Sequence, residues 1–196
     1  MKKLFYILLL LAGCIACSSK TGKVANGVTA ATILGNKNYQ AICYGGYRTT
    51  SRDVVPTVEE IKEDLKILAA LQFKVLRTYN VNRKEINHLL EAIAQLKKEQ
   101  QDFEMYVMMG AWIDCKNAWT DKTPVHTEES EKNATEIATA VELANQYPDI
   151  VKIIAVGNEA MVNWAASYYV TPDIILKWVN YLQQLKNDGK LNKDVW

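Results

Sequence analysis

The chain has 196 residues, 49% of them hydrophobic and 23% charged, with a formal net charge of +1. This supplies apolar material for one substantial core, and the absence of a basic stripe argues against a nucleic-acid partner. The 10 Tyr and 5 Trp could stack on sugars or other ring-shaped ligands, although most aromatic side chains in a domain of this kind serve as core.

The N-terminus reads as an export signal. Lys2 and Lys3 form a short basic region, and Leu4 to Leu11 is an apolar run too short to span a bilayer as a helix. Leu11-Ala12-Gly13-Cys14 follows and resembles the bacterial lipoprotein signal, in which cleavage falls before a cysteine that then carries lipid. Residues 1–13 are read as signal peptide and Cys14 as the lipidated residue, with Cys17 as the alternative. Loss of Lys2 and Lys3 leaves 21 basic residues against 22 acidic ones, a net charge of −1. A lipid anchor would hold the protein at the bacterial envelope, on the outer membrane or cell surface, without spanning it. Residues 14–37 are small and polar and read as a tether, with Val28 and Ile33-Leu34 expected to add a short strand closing the floor of the fold. Cys43 and Cys115 lack zinc-ligand spacing, and His88 and His126 are isolated, so no metal or cofactor is expected.

Residues 38–196 read as one domain of alternating strands and helices. Gln40–Tyr44 is the first strand, ended by Gly45-Gly46. Thr57 and Glu60 form a helix-starting capping box, and Val58, Ile61, Leu65, Leu68 and Ala69 recur at helical spacing up to about Gln72. Lys74–Thr78 is the second strand, with Tyr79-Asn80 just beyond it. Asn82 and Glu85 predict a second capping box, followed by an apolar face of Ile86, Leu89, Leu90, Ile93 and Leu96. Glu104–Met109 is the third strand, followed by Gly110-Ala111-Trp112-Ile113-Asp114. Cys115 to Thr127 reads as a long loop, a length that hints at function. Glu128, Glu129 and Glu131 suit the positive end of a third helix, whose apolar residues are Ala134, Ile137, Ala138, Val141 and Ala144.

The fourth strand, Asp149–Val156, runs into Gly157-Asn158-Glu159. A loop with Trp164, Tyr168 and Tyr169 comes next. Thr171-Pro172-Asp173 starts the fourth helix, which carries Ile175, Trp178, Val179, Leu182 and Leu185 and stops at Gly189. Val195-Trp196 opens a fifth strand.

Four strand–helix units in succession predict a parallel sheet. Their spacing of roughly 30 to 45 residues suits a (β/α)8 barrel, though a doubly wound open sheet has the same local signature. No Gly-x-Gly-x-x-Gly follows a strand, so the dinucleotide marker is missing. In either architecture, chemistry is done at the C-terminal ends of the strands. This makes Glu159 the candidate acid/base, against the plainer reading of a surface carboxylate. Asp114 is the alternative acid. Arg77 reads either as a pocket cation or as one end of a buried ion pair, and Trp178 as core.

An ordered set of residues gives the chain a family resemblance. Ile42-Cys43-Tyr44-Gly45, Leu76-Arg77-Thr78-Tyr79, Gly110-Ala111-Trp112 and Val156-Gly157-Asn158-Glu159, with Glu136-Ile137 and Thr171-Pro172, resemble the N-terminal half of glycoside hydrolase family 17, the β-1,3-glucanase type. The match runs from about residue 40 to 196. The fold implied is α/β, the first half (about four βα units) of a (β/α)8 TIM barrel. The activity implied is retaining hydrolysis of β-glucan, with Glu159 as general acid/base and a nucleophile on a seventh strand that this sequence does not contain. Asn158 would bind the sugar 2-hydroxyl. Tyr44 and Tyr79 match pocket-floor positions, although core tyrosines fit them nearly as well. Trp112, with Trp164 and Tyr168 behind it, would offer stacking faces. The competing reading is a non-catalytic, lipid-anchored glycan-binding protein on the same scaffold. In both readings the partners are β-glucan or an oligosaccharide and the membrane, with no obligate protein partner.

Overall fold

The computed structural model describes residues 27–196. The expected signal peptide (1–13), both candidate lipid cysteines and the first part of the expected tether lie outside that range.

The elements run α1 (Ala30–Ile33), β1 (Gln40–Cys43), α2 (Val58–Ala70), β2 (Phe73–Arg77), α3 (Glu85–Glu99), β3 (Tyr106–Ala111), β4 (Cys115–Lys116), β5 (Val125–Glu129), α4 (Lys132–Gln146), β6 (Val151–Val156) and α5 (Pro172–Asn187). Four strands form a parallel sheet in the order β1-β2-β3-β6. The order follows the chain without reversal, whereas a doubly wound sheet turns back on itself at a switch point. Beyond β6, the Trp196 N–H donates to the Lys152 carbonyl (3.0 Å) and the Trp196 carbonyl accepts from Ile154 N–H. The expected fifth-strand segment therefore lies against the edge of β6.

Alternation along the strands divides the apolar residues into two sets. Leu76, Val107, Met109, Ala111, Val151 and Ile154 join the main core with Ile61 and Leu65 of α2, Leu90 and Ile93 of α3, Ile137 of α4 and Trp178 of α5. Val75 and Tyr106 form a second cluster with Ile33, against which Val28, Tyr39 and Met108 pack. Ile33 thus reaches the sheet from the one-turn helix α1, capped by Thr29, and not from the short strand expected there.

Helix starts follow local chemistry where the cap residues meet no competitor. At α2, Thr57 N–H donates to Glu60 Oε2 (2.8 Å) and Glu60 N–H donates to Thr57 Oγ1 (3.2 Å), the predicted box. The box predicted at Asn82 does not form. Helix α3 starts at Glu85 with Lys84 in the cap position and no side-chain cap bond. The Glu85 carboxylate accepts the Tyr47 hydroxyl instead.

The expected loop 115–127 contains an antiparallel hairpin, with Cys115 opposite Glu129 and Lys116 opposite Val125. Its turn passes through Asn117 and Trp119, both left-handed (φ 64° and 61°). Glu128 and Glu129 lie on β5 and not in the first turn of α4. Glu128 pairs with Lys116 at 2.7 Å, and Glu129 binds Lys177 and the Trp178 indole N–H of α5. The buried stripe of α4 is Asn133, Glu136, Ile137, Ala140, Leu143 and Ala144. Ala134 and Ala138, expected on that face, are exposed. The helix is rotated because Asn133 and Glu136 turn inward to bind loop backbone.

One glycine permits a close approach that the site depends on. A Cβ on Gly110 would lie 2.6 Å from the Thr78 carbonyl oxygen and 2.6 Å from the Tyr79 carbonyl carbon. Backbone cannot yield there as a side-chain tip could. We expect Gly110→Ala to destabilise the protein by about 2–3 kcal/mol, the scale of core overpacking, read as a lower urea midpoint. An unchanged midpoint would show that β2 and β3 can separate freely.

Candidate active site

Strand β6 leaves the sheet through a strained turn. Gly157 is left-handed (φ 79°), and so is Glu159 (φ 51°). A glutamate in that region is uncommon and costs of order 1–3 kcal/mol unless its surroundings hold it. A Cβ on Gly157 would come within 2.9 Å of Ala160 Cβ, so a glycine suits both the space and the backbone. The turn lifts Glu159 to an exposed position at the C-terminal rim of the sheet.

Asn158, Glu159, Tyr44, Tyr79 and Trp112 all line one cleft of about 530 Å3. They come from the ends of all four strands of the main sheet, so sheet register alone assembles them. Tyr168, 7% exposed, donates its hydroxyl to Glu159 Oε2 at 3.4 Å. Burial, and then the Glu159 charge, push the Tyr168 hydroxyl pKa up, which keeps it protonated and donating.

Arg77 resolves differently from either sequence reading. Its guanidinium donates to Asn158 Oδ1 at 2.9 Å and lies 5.3 Å from the centre of the Tyr79 ring. It is not among the residues that line the cleft, and its partner is an amide, not a carboxylate. The Asn158 carbonyl is held by Arg77, which leaves the amide N–H2 free to donate. The Cys43 thiol sits beside this group. Hydrogen bonding to Tyr79, then to Arg77, lowers its pKa, while the bond to Cys43, then burial, raises that of Tyr79. Cys43 and the buried Cys115 are both free thiols.

Tyr44 contributes its ring to the cleft wall, while its hydroxyl donates to Asp64 of α2 at 2.9 Å. Burial and that carboxylate push its pKa up. Trp164 lies outside the cleft lining and is 71% exposed. Asp114 is outside the main cleft and buried, with its acidity weakened by desolvation.

Glu136 is the structural residue that the sequence reading noted only as part of a pattern. A single oxygen, Oε1, accepts Val81 N–H at 2.7 Å and Trp112 N–H at 2.9 Å. It ties the loop after β2, which bears Tyr79, to the end of β3, which bears Trp112. Burial pushes its pKa up, and the two N–H donors oppose that. Asn133, one turn earlier on α4, exchanges two hydrogen bonds with the Asp114 backbone. Two polar residues on the buried stripe of a helix were the available signal, because buried polar groups are there to be bonded.

Three aromatic rings flank the acid. Trp119 at the hairpin tip stacks on Tyr168 (4.9 Å, 21°), and Trp112 lies 5.1 Å from the same ring. The hairpin is fastened to the loop after β6 by Cys115 N–H to the Tyr168 carbonyl (3.1 Å) and by His126, which stacks on Tyr169 and bonds its carbonyl.

The chain is similar to the crystal structure of an endo-laminarinase from Formosa Hel1_33_131, at 63% sequence identity and a TM-score of 0.85. The similarity covers 86% of this chain and 43% of that one, so the chain spans less than half of the laminarinase. No protein-family model and no curated protein matches it.

Proposed function

We propose that residues 38–196 are the first four βα units of a (β/α)8 barrel of the glycoside hydrolase family 17 type, and that the complete protein hydrolyses β-1,3-glucan with retention. The observation that carries this reading is the group at the end of β6: an exposed glutamate lifted by a left-handed turn, next to an arginine-held asparagine, in an aromatic cleft. The unreversed strand order and the similarity to a laminarinase support it.

Glu159 acts first as an acid, protonating the leaving glycosidic oxygen, and then as a base on the water that releases the product. The Tyr168 hydroxyl steadies the carboxylate between those steps. The Asn158 amide N–H2, its carbonyl occupied by Arg77, donates to the sugar 2-hydroxyl, a contact that strengthens as positive charge builds at the anomeric carbon. The nucleophile belongs to a segment outside residues 1–196 and stands about 5 Å from Glu159, the separation required for retention.

The test is the full-length protein on a linear β-1,3-glucan. New reducing ends released with retained anomeric configuration, seen by proton NMR at early times, support the reading. Tight glycan binding without turnover would replace it with the glycan-binding alternative.

The lipid anchor is a separate proposal, resting on Leu11-Ala12-Gly13-Cys14. Metabolic labelling with a fatty-acid analogue should mark the wild type and spare Cys14→Ala. Label retained in Cys14→Ala and lost in Cys17→Ala would move the anchor to Cys17.

A further inference from the structure

We infer that His126, on the β4–β5 hairpin, is a positioning residue: it fixes the loop that carries Tyr168, and Tyr168 in turn orients the Glu159 carboxylate. The proton-transfer role of Glu159 rests on the β-glucan reading above, whereas the contacts that fix Tyr168 do not.

His126 is half-buried on β5 and meets the loop between β6 and α5 at three points. Its Nδ1 lies 2.8 Å from the Tyr169 carbonyl oxygen. A carbonyl only accepts, so this nitrogen carries the proton. The imidazole stacks on the Tyr169 ring (3.6 Å, 10°). The His126 carbonyl accepts Thr171 N–H at 3.0 Å, where the loop enters α5. Cys115 N–H donates to the Tyr168 carbonyl at 3.1 Å, so the hairpin grips two successive carbonyls.

The loop has little else to hold it. Tyr168 N–H and Tyr169 N–H both donate to the Ala165 carbonyl, and Val170 N–H donates to Ala160, bonds that stay within the loop. The Tyr168 ring is covered by Trp119 of the hairpin and by Trp112, and its hydroxyl reaches Glu159 Oε2 at 3.4 Å. A hydrogen bond donated to a carboxylate favours its charged form. The hairpin therefore governs how readily Glu159 releases its proton. The other titratable side chains lining the cleft with Glu159 are Tyr44, Tyr47, Arg52, Tyr79, Arg83 and Glu85. Among the described residues none of them is hydrogen-bonded to the hairpin, so a change at His126 reaches Glu159 through Tyr168.

The experiment compares full-length wild type with His126→Ala and His126→Asn on a linear β-1,3-glucan. His126→Ala should lower kcat by about 10- to 10²-fold, the scale of a misplaced group, and move the alkaline limb of the pH–rate profile to higher pH. Tyr168→Phe should move the limb the same way, and the double variant no further. His126→Asn, whose amide N–H2 stands where Nδ1 was, should recover most of both effects. Glu129→Ala cuts the hairpin's separate tie to Lys177 and Trp178, and should cost stability without moving the limb. An unmoved limb in His126→Ala with wild-type circular dichroism, or an equal shift in Glu129→Ala, overturns the assignment. The Tyr168 ring resonance, followed in protein labelled with 13C-tyrosine and assigned through Tyr168→Phe, reads the clasp without substrate. His126→Ala should shift it toward the value of a free tyrosine as the indoles part from it. If the wild type shows no turnover while this resonance shifts, the clasp stands and the hydrolase reading falls. If turnover is confirmed and neither resonance nor limb moves, the reverse holds.

Discussion

Under the proposed function, replacing Glu159 by glutamine is expected to leave the full-length protein folded and to lower its turnover of β-1,3-glucan by about 10²–10⁴-fold, the range for removing a positioned general acid/base. The carboxylate is exposed and carries no packing, and Tyr168 can donate to an amide oxygen as it does to a carboxylate oxygen. Stability should therefore hold within about 0.5 kcal/mol, as for an exposed substitution. Glutamine cannot deliver a proton to the leaving oxygen. A substrate with an activated aryl leaving group needs no such proton, so its first chemical step should be far less impaired. Comparing pre-steady-state release of that aryl group with steady-state glucan cleavage checks both statements. Equal losses on the two substrates would mean that Glu159 positions substrate and does not transfer a proton.

Glu136→Ala is expected to damage both stability and catalysis. It strands two backbone N–H groups, those of Val81 and Trp112, which now share one buried oxygen. Each unmet buried donor costs about 1–3 kcal/mol, so a loss of about 3 kcal/mol is expected in urea unfolding. The same change frees the loops bearing Tyr79 and Trp112, and misplacement by about 1 Å can cost 10²-fold in rate. Glu136→Gln keeps an acceptor oxygen and should recover most of both losses. The two variants also separate by pH. Burial raises the folded-state pKa of Glu136 above its unfolded value, so the native state holds its proton longer. The wild type is then most stable, relative to Glu136→Gln, below the ordinary glutamate pKa of about 4.3, and loses that advantage as pH rises toward the folded value. A pH-independent difference between the two would show that Glu136 ionises normally.

What could be read beforehand depended on how local the cause was. The run Val151–Val156 ending in Gly157-Asn158-Glu159 is legible because burial and the strand stop are written in consecutive residues. The Thr57–Glu60 box formed because both halves lie within one turn. The Asn82 box failed because Tyr47, 38 residues away, bonds Glu85. The face of α4 was misjudged because Glu136 serves Val81, 55 residues distant, and Trp112, 24 residues distant. The hairpin was missed because β4 is two residues long and β5 is mostly polar, so neither shows apolar alternation. The cleft residues were found from the order of strand ends. The Arg77–Asn158 bond that holds them was not, since no periodicity pairs positions on β2 and β6.

That bond has a further consequence. The sheet is otherwise a chain of nearest-neighbour pairings, each strand resting on the one made just before it, so contacts are short in sequence and a local opening need not disturb the rest. Arg77 to Asn158 spans 81 residues and passes over β3. It is a strap across three strands, and any parting of β2 from β3, or of β3 from β6, pulls on it. The Asn158 amide, which we propose binds the sugar, is therefore aligned only while the whole sheet is shut, and the site is sensitive to disorder far from its own residues.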